Sequence, residues 1–156
     1  METSTPVLRR LSRGECLRLL GTMPIGRIVY TRQALPAVEV VNFALVDGEI
    51  AFRTSAEGKL AAATRGAVVA FEADSVDLGS HVGWSVTVVG QARVVTGPQA
   101  DRIMRTALTP WAPGPHAHFI CITPTMVNGR WLGGGGDGLD GDDGDGLDGD
   151  HDANRH

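Results

Sequence analysis

The sequence predicts a small, mostly antiparallel β barrel of about seven strands with three short helices. Three observations carry this. Short runs rich in Val and Ile, with a period of two, recur along most of the chain. Asp47-Gly48 stands between two of them, the strongest short hairpin signal there is. Gly90 interrupts a longer run in its middle, where glycine marks a bulge or a sharp barrel bend.

The elements follow in order. Ser12-Arg-Gly-Glu15 reads as a capping box, with Leu11 and Cys16 at the staple positions, so a helix starts there. Leu17 and Leu20 give it an apolar stripe, and Gly21 with Pro24 stops it. Ile25 to Thr31 and Ala37 to Val46 are strands, and Glu49 to Thr54 returns after the Asp47-Gly48 turn. Glu57 to Thr64 is Ala-rich and forms a short helix that Gly66 ends. Strands follow at Ala67 to Ala73 and Gly83 to Val95. Pro98 opens a third helix that runs to about Leu108. Pro110-Trp-Ala-Pro-Gly-Pro115 is a rigid loop, and His118 to Thr123 and Met126 to Leu132 complete the barrel.

Charge divides the chain. Its 156 residues carry 14 Lys+Arg and 18 Asp+Glu, for a net charge of −4. From Gly133 onward, however, eight Asp and nine Gly fill the last 24 residues with one Arg. That composition cannot bury enough apolar surface to offset chain entropy, so residues 133–156 are expected to be a disordered acidic tail. A hexapeptide, Asp137-Gly-Leu-Asp-Gly-Asp142, recurs as Asp145 to Asp150, eight residues on; calcium-binding β-roll repeats need nine. Residues 1–10 are expected to be a flexible N-terminus, leaving 11–132 as one domain. The remaining charge is near neutral, which argues against a dedicated nucleic-acid binder. No apolar run approaches the roughly 20 residues of a membrane span, and Met1 to Arg10 lacks a signal peptide's apolar stretch. A cytoplasmic location is expected. Cys16 and Cys121 form no metal or disulfide pattern.

The strand at Ala37 to Val46 is apolar on both faces: Val38, Val40, Ala44 and Val46 on one, Ala37, Val41, Phe43 and Leu45 on the other. A strand with one wet face alternates more cleanly. One face belongs to the barrel core, and the other needs a cover. A second copy of the chain is the favoured one; a small helix is the alternative.

These pieces together resemble the pyridoxamine 5′-phosphate oxidase-like split-barrel superfamily. The resemblance lies in the order of Gly26-Arg-Ile-Val-Tyr30, Val40-Val-Asn-Phe43, Asp47-Gly-Glu-Ile-Ala-Phe-Arg-Thr54 and Gly58-Lys-Leu60. Phe71-Glu-Ala-Asp74, Gly83-Trp-Ser-Val-Thr-Val-Val-Gly-Gln-Ala92 and Pro110-Trp-Ala-Pro-Gly114 continue it, so that it covers roughly residues 10 to 132. It implies a split β-barrel homodimer that holds FMN in two equivalent clefts at the subunit interface. A flavin-dependent oxidoreductase with a small-molecule electron donor or acceptor is the activity implied. The alternatives are a non-catalytic flavin- or haem-binding module and a deazaflavin-dependent reductase on the same fold. Oxidases of the vitamer itself carry further phosphate-gripping segments, including a C-terminal one. Here Asn128-Gly-Arg-Trp-Leu132 runs straight into the Gly/Asp tail, so that activity is not implied.

The resemblance assigns the flavin phosphate to Arg53, Thr54, Ser55 and Lys59, with Leu60 beside them. The chemistry suits the assignment: a phosphate needs cations and short hydroxyl or backbone donors converging on it, and a turn entering a helix adds oriented amides. Lys59 is the only lysine in the chain. The ring is placed along Val40, Val41 and Asn42, largely through main-chain contacts. Asn42 either meets the ring edge or is satisfied by a neighbouring loop. Trp84 and Ser85 match positions that reach the flavin from the partner subunit; the apolar stripe of Trp84 reads rather as core, and Ser85, on the polar face, is the better contact candidate. No catalytic residue is assigned. His81, His116 and His118 match no metal-ligand spacing and read as solvent-facing or internally satisfied histidines.

Overall fold

The computed structural model describes residues 7–54, 58–106 and 118–133. Ser55, the Pro110 to Pro115 loop, His116 and the acidic tail lie outside the described residues. The described chain runs β1 (Val7–Arg10), α1 (Arg13–Leu20), β2 (Ile25–Arg32), β3 (Leu35–Val46), β4 (Glu49–Thr54), α2 (Lys59–Thr64), β5 (Val68–Val76), β6 (Gly83–Val95), α3 (Gly97–Thr106), β7 (His118–Ile122) and β8 (Met126–Gly133). The strands hydrogen-bond in the order β1-β8-β6-β5-β2-β3-β4-β7, and β7 returns to β6. Six strands therefore close into a barrel, with β8 and β1 extending the sheet beyond β6. The split-barrel architecture read from the sequence is the one observed.

The eighth strand is β1. Residues 7–10, read above as part of a flexible N-terminus, pair with β8 from Val7–Gly133 to Arg10–Arg130. Four residues with two arginines carry no period-two apolar signal, and only the partner makes them a strand.

Two long strands change partners along their length, and the barrel depends on both. β6 lies against β5 over Gly83–Gln91. Its other edge takes β8 from Gly83 to Val89 and then β7 from Ala92 to Val95. The handover falls at Gly90, where an added Cβ would overlap the Thr123 carbonyl oxygen. The mid-strand glycine is thus explained by a close backbone approach. β3 behaves in the same way. It pairs with β2 from Leu35 to Asn42 and with β4 from Phe43 to Val46.

The core follows from the alternation. Phe43, Phe52 and Phe71 meet inside the barrel, Phe43 edge-on to Phe71 with ring centroids 4.7 Å apart. α1 packs its buried Cys16 and Leu20 against this cluster. Its N-cap is Ser12, whose Oγ accepts the Glu15 amide at 3.2 Å. A second cluster lies outside the barrel wall, where α3 seats Ala100 and Ile103 on Ala51, Val95, Phe119 and Cys121. A charged brace crosses the closing strands: Arg93 Nη2 donates to Glu49 Oε1 at 2.7 Å, and Thr123 Oγ1 donates to Glu49 Oε2 at 2.9 Å.

The two hairpins differ in chemistry. Asp47 (φ 51°) and Gly48 (φ 77°) both take positive φ, as the expected turn requires. At the β2–β3 turn the same conformation falls to Gln33 (φ 51°) and Ala34 (φ 62°). A β-carbon there costs about 1–2 kcal/mol per residue. The double substitution Gln33→Asn, Ala34→Gly should therefore stabilise the protein by about 1 kcal/mol, read as a higher urea midpoint at unchanged slope. An unchanged or lower midpoint would show that this turn stores no strain.

Candidate functional site

The partner change in β3 leaves part of one of its edges open. Over Leu35–Asn42 the strand has β2 on one edge, and among the described residues no strand pairs its other edge. β4 leaves β3 after Phe52, so Arg53 and Thr54 stand across the opening. Phe43 N–H donates to the Pro24 carbonyl oxygen, so by alternation Val41 also turns its N–H and C=O toward β2. Val40 and Asn42 direct theirs at the other edge, where no strand among the described residues pairs them. Such groups need a partner when covered. Side chains alternate around them. Val41 packs on the core, whereas Val40 is 64% exposed and Asn42 is exposed beside it on the outer face.

The phosphate-side residues come together only in part. Arg53 and Thr54 are half-buried at the end of β4. α2 begins at Lys59, after Gly58 as N-cap in an extended conformation, so the expected start at Glu57 is not seen. Leu60 packs against the barrel core and is a wall of the site at most through its backbone. The Lys59 side chain, like Ser55, lies outside the described residues.

Trp84 and Ser85 do not reach this edge within one chain. Trp84 is 7% exposed in the core cluster, opposite Trp131. Ser85 lies opposite Asp74 on the outer face, three strands from β3. That is about 14 Å at ordinary strand spacing. Ser85 shares this outer face with Val38, Val40 and Asn42. The cover expected for β3 is half supplied by a helix, since Val46 packs on the α3 cluster. Its other half, Val38 at 59% and Val40, stays exposed.

Between Val40 and Ser85 the outer face carries three charges. Arg27 Nη1 donates to Glu72 Oε2 at 2.9 Å and to Asp74 Oδ2 at 3.3 Å. One cation serves two carboxylates. Burial and the adjacent Asp74 push the Glu72 carboxyl up to about 7, against the opposing pull of Arg27.

One residue was misread in the sequence. His118 opens β7 directly across from Thr54. The residue is half-buried, and its Nδ1 is buried with no hydrogen-bond partner among the described residues, so that nitrogen is neither solvated nor satisfied. Sequence spacing could suggest only a metal role for this histidine. Among the described residues no three His, Cys, Asp or Glu side chains come close enough to share an ion. No helix among them is long and apolar enough to cross a membrane.

The family model for pyridoxamine 5′-phosphate oxidase matches residues 12–131. The chain belongs to this family. The uncharacterized protein Rv0080 of Mycobacterium tuberculosis is 40% identical over 124 residues, which cover 76% of this chain and 82% of the relative. Among solved structures, the FAD binding protein from Mycobacterium smegmatis is 31% identical with a TM-score of 0.63, covering 80% of this chain and 98% of its own. A FAD-binding protein from Mesorhizobium loti has the same fold, at 24% identity and a TM-score of 0.66, with coverage of 80% and 98%. The barrel is thus a scaffold that this chain shares with its relatives.

Glu72 makes the outer face pH-sensitive. Its raised folded-state value means that its contribution to stability is present in full below the ordinary carboxylate range and is lost as pH rises through about 7. Glu72→Gln should therefore be more stable than the unsubstituted protein at pH 8, with the difference shrinking toward pH 5. Thermal melts across that range check this; a difference independent of pH would mean that Glu72 ionises normally.

Proposed function

We propose that this chain binds a flavin nucleotide, FMN in the first instance, between the open edge of β3 and the end of β4, and acts as a flavin-dependent oxidoreductase. The observation that carries the reading is the open edge of β3, where Val40 and Asn42 turn their main-chain groups away from β2 on the side of Arg53 and Thr54. A flat heterocycle with donors and acceptors around its edge is matched by a run of main-chain N–H and C=O groups. A phosphate is matched by a guanidinium and a hydroxyl at one end of that run. The flavin bound by the Mycobacterium smegmatis relative supports the same class of ligand.

The flavin, when bound, supplies the hydride or electron chemistry itself. The chain's part is to bind and orient. The β3 backbone fixes the plane and edge of the ring, and Arg53 with Thr54 anchors the phosphate. Asn42, on the outer face next to this edge, offers an amide for the polar rim of the ring.

The reading includes a homodimer. Val38 and Val40 lie exposed on the same face as Ser85, and a second copy laid on that face would cover both valines. It would also bring the partner's Ser85 toward the open edge of β3, which the distance within one chain forbids. The partner in turnover is a small-molecule electron donor or acceptor.

Titration of the purified protein with FMN and FAD, followed by absorbance and flavin fluorescence, tests the binding; NAD(P)H bleaching with reoxidation by an acceptor tests the enzyme. Saturable binding with turnover is expected. No flavin binding, with a response to deazaflavin or haem instead, would overturn the cofactor, and a bound flavin that cannot be reduced would overturn the enzyme. Sedimentation should give twice the chain mass of 16.4 kDa. Lys59→Ala should weaken FMN binding by about 1.5–3 kcal/mol, as for other lost charge-assisted contacts. Unchanged affinity would remove Lys59 from the site.

A further inference from the structure

We infer that His118 is a phosphate contact of the nucleotide site, reaching it from the closing strand β7. The inference rests on the flavin reading above and extends its anchor beyond Arg53 and Thr54. The first observation is register. Thr54 and His118 are direct cross-strand partners, so their side chains stand on one side of the sheet within about 5.5 Å at Cβ. That side is the barrel interior, because the residues two places along, Phe52 and Ile120, are paired and fully buried in the core. The β6–β7 ladder ends with Val95 against Phe119, one step short of His118. Thr54 and His118 thus form a polar pair at the end of the β4–β7 ladder, two residues along from the buried pair Phe52 and Ile120.

The second observation is the orphaned nitrogen. His118 Nδ1 is shielded from solvent and lacks a partner among the described residues, although buried ring nitrogens are ordinarily paired. A neutral imidazole can present N–H at either nitrogen, so Nδ1 can donate. An N–H donor beside a hydroxyl, at the strand end that carries Arg53, is the chemistry that phosphate oxygens require. Metal ligation would need further Cys, Asp or Glu groups close by, and among the described residues none gather here.

The phosphate could be the single one of FMN or the second one of a dinucleotide flavin, and the two are separable by experiment. Dissociation constants for riboflavin, FMN and FAD are measured for the unsubstituted protein, for His118→Phe and for His118→Asn. Phe keeps the ring volume without a donor, and the Asn amide nitrogen takes the place of Nδ1. His118→Phe should weaken FMN about tenfold and leave riboflavin unchanged, with His118→Asn restoring most of the loss. A loss confined to FAD assigns the contact to the second phosphate and also supports the inference. Equal losses for riboflavin and FMN, or no loss for any ligand, would overturn it and leave His118 a packing residue. Absence of all flavin binding by the unsubstituted protein would instead overturn the flavin reading itself. Melting curves of both variants identify a loss that comes from unfolding.

Discussion

A barrel strand has two edges, and in this molecule two strands are too long for one neighbour on each. That constraint organises everything else. β6 hands one edge from β8 to β7 at Gly90, which turns a sheet into a closed barrel while β8 and β1 continue outside it. β3 meets β4 only over its last four residues, which leaves the rest of that edge without a ladder. Closure at one position and opening at the other are the same geometric event seen from opposite sides of the barrel.

The open edge explains why so few side chains need to be special. In the proposed reading, recognition through main-chain groups asks only that β3 be extended and one edge uncovered between Val40 and Asn42, and β2 holds it extended from the far edge. The apolar side chains of this segment are then free for other work. Val41 packs inward, and Val38 and Val40 face outward on a surface interrupted by Arg27, Glu72 and Asp74. The Arg93–Glu49 brace and the α3 cluster stiffen the wall of β4, β7 and β6, and β4 continues along β7 after it leaves β3.

Much of this architecture was legible in the residues. The capped start of α1, the Asp47-Gly48 turn and the full extent of β6 were all readable because their causes are local: a side-chain cap, a positive-φ pair and period-two alternation. The features that escaped have tertiary causes. The Gln33-Ala34 turn carries no turn residue and is imposed by the long β2–β3 ladder. β1 exists only because β8 offers an edge. The burial of one nitrogen of His118 depends on what surrounds the barrel mouth, and no spacing along the chain encodes that. Of the site, the strands were readable through the family pattern. The core placement of Trp84 was readable from its apolar stripe, whereas the distance of Ser85 from β3 needed the fold.

Closure also sets an order of events as the chain leaves the ribosome. β4 is complete at Thr54, yet the strand that joins it to β6 starts at His118, more than sixty residues later. Until then the β2–β3–β4 meander and the β5–β6 hairpin can form only as a curved open sheet, with the apolar faces of Phe43, Phe52 and Phe71 uncovered along one margin. Pairings this distant in sequence are slow because loop closure must precede the contacts that reward it. β7 therefore both seals the hydrophobic interior and completes the mouth of the barrel, and a nascent chain stalled before it would expose the kind of apolar surface that chaperones hold.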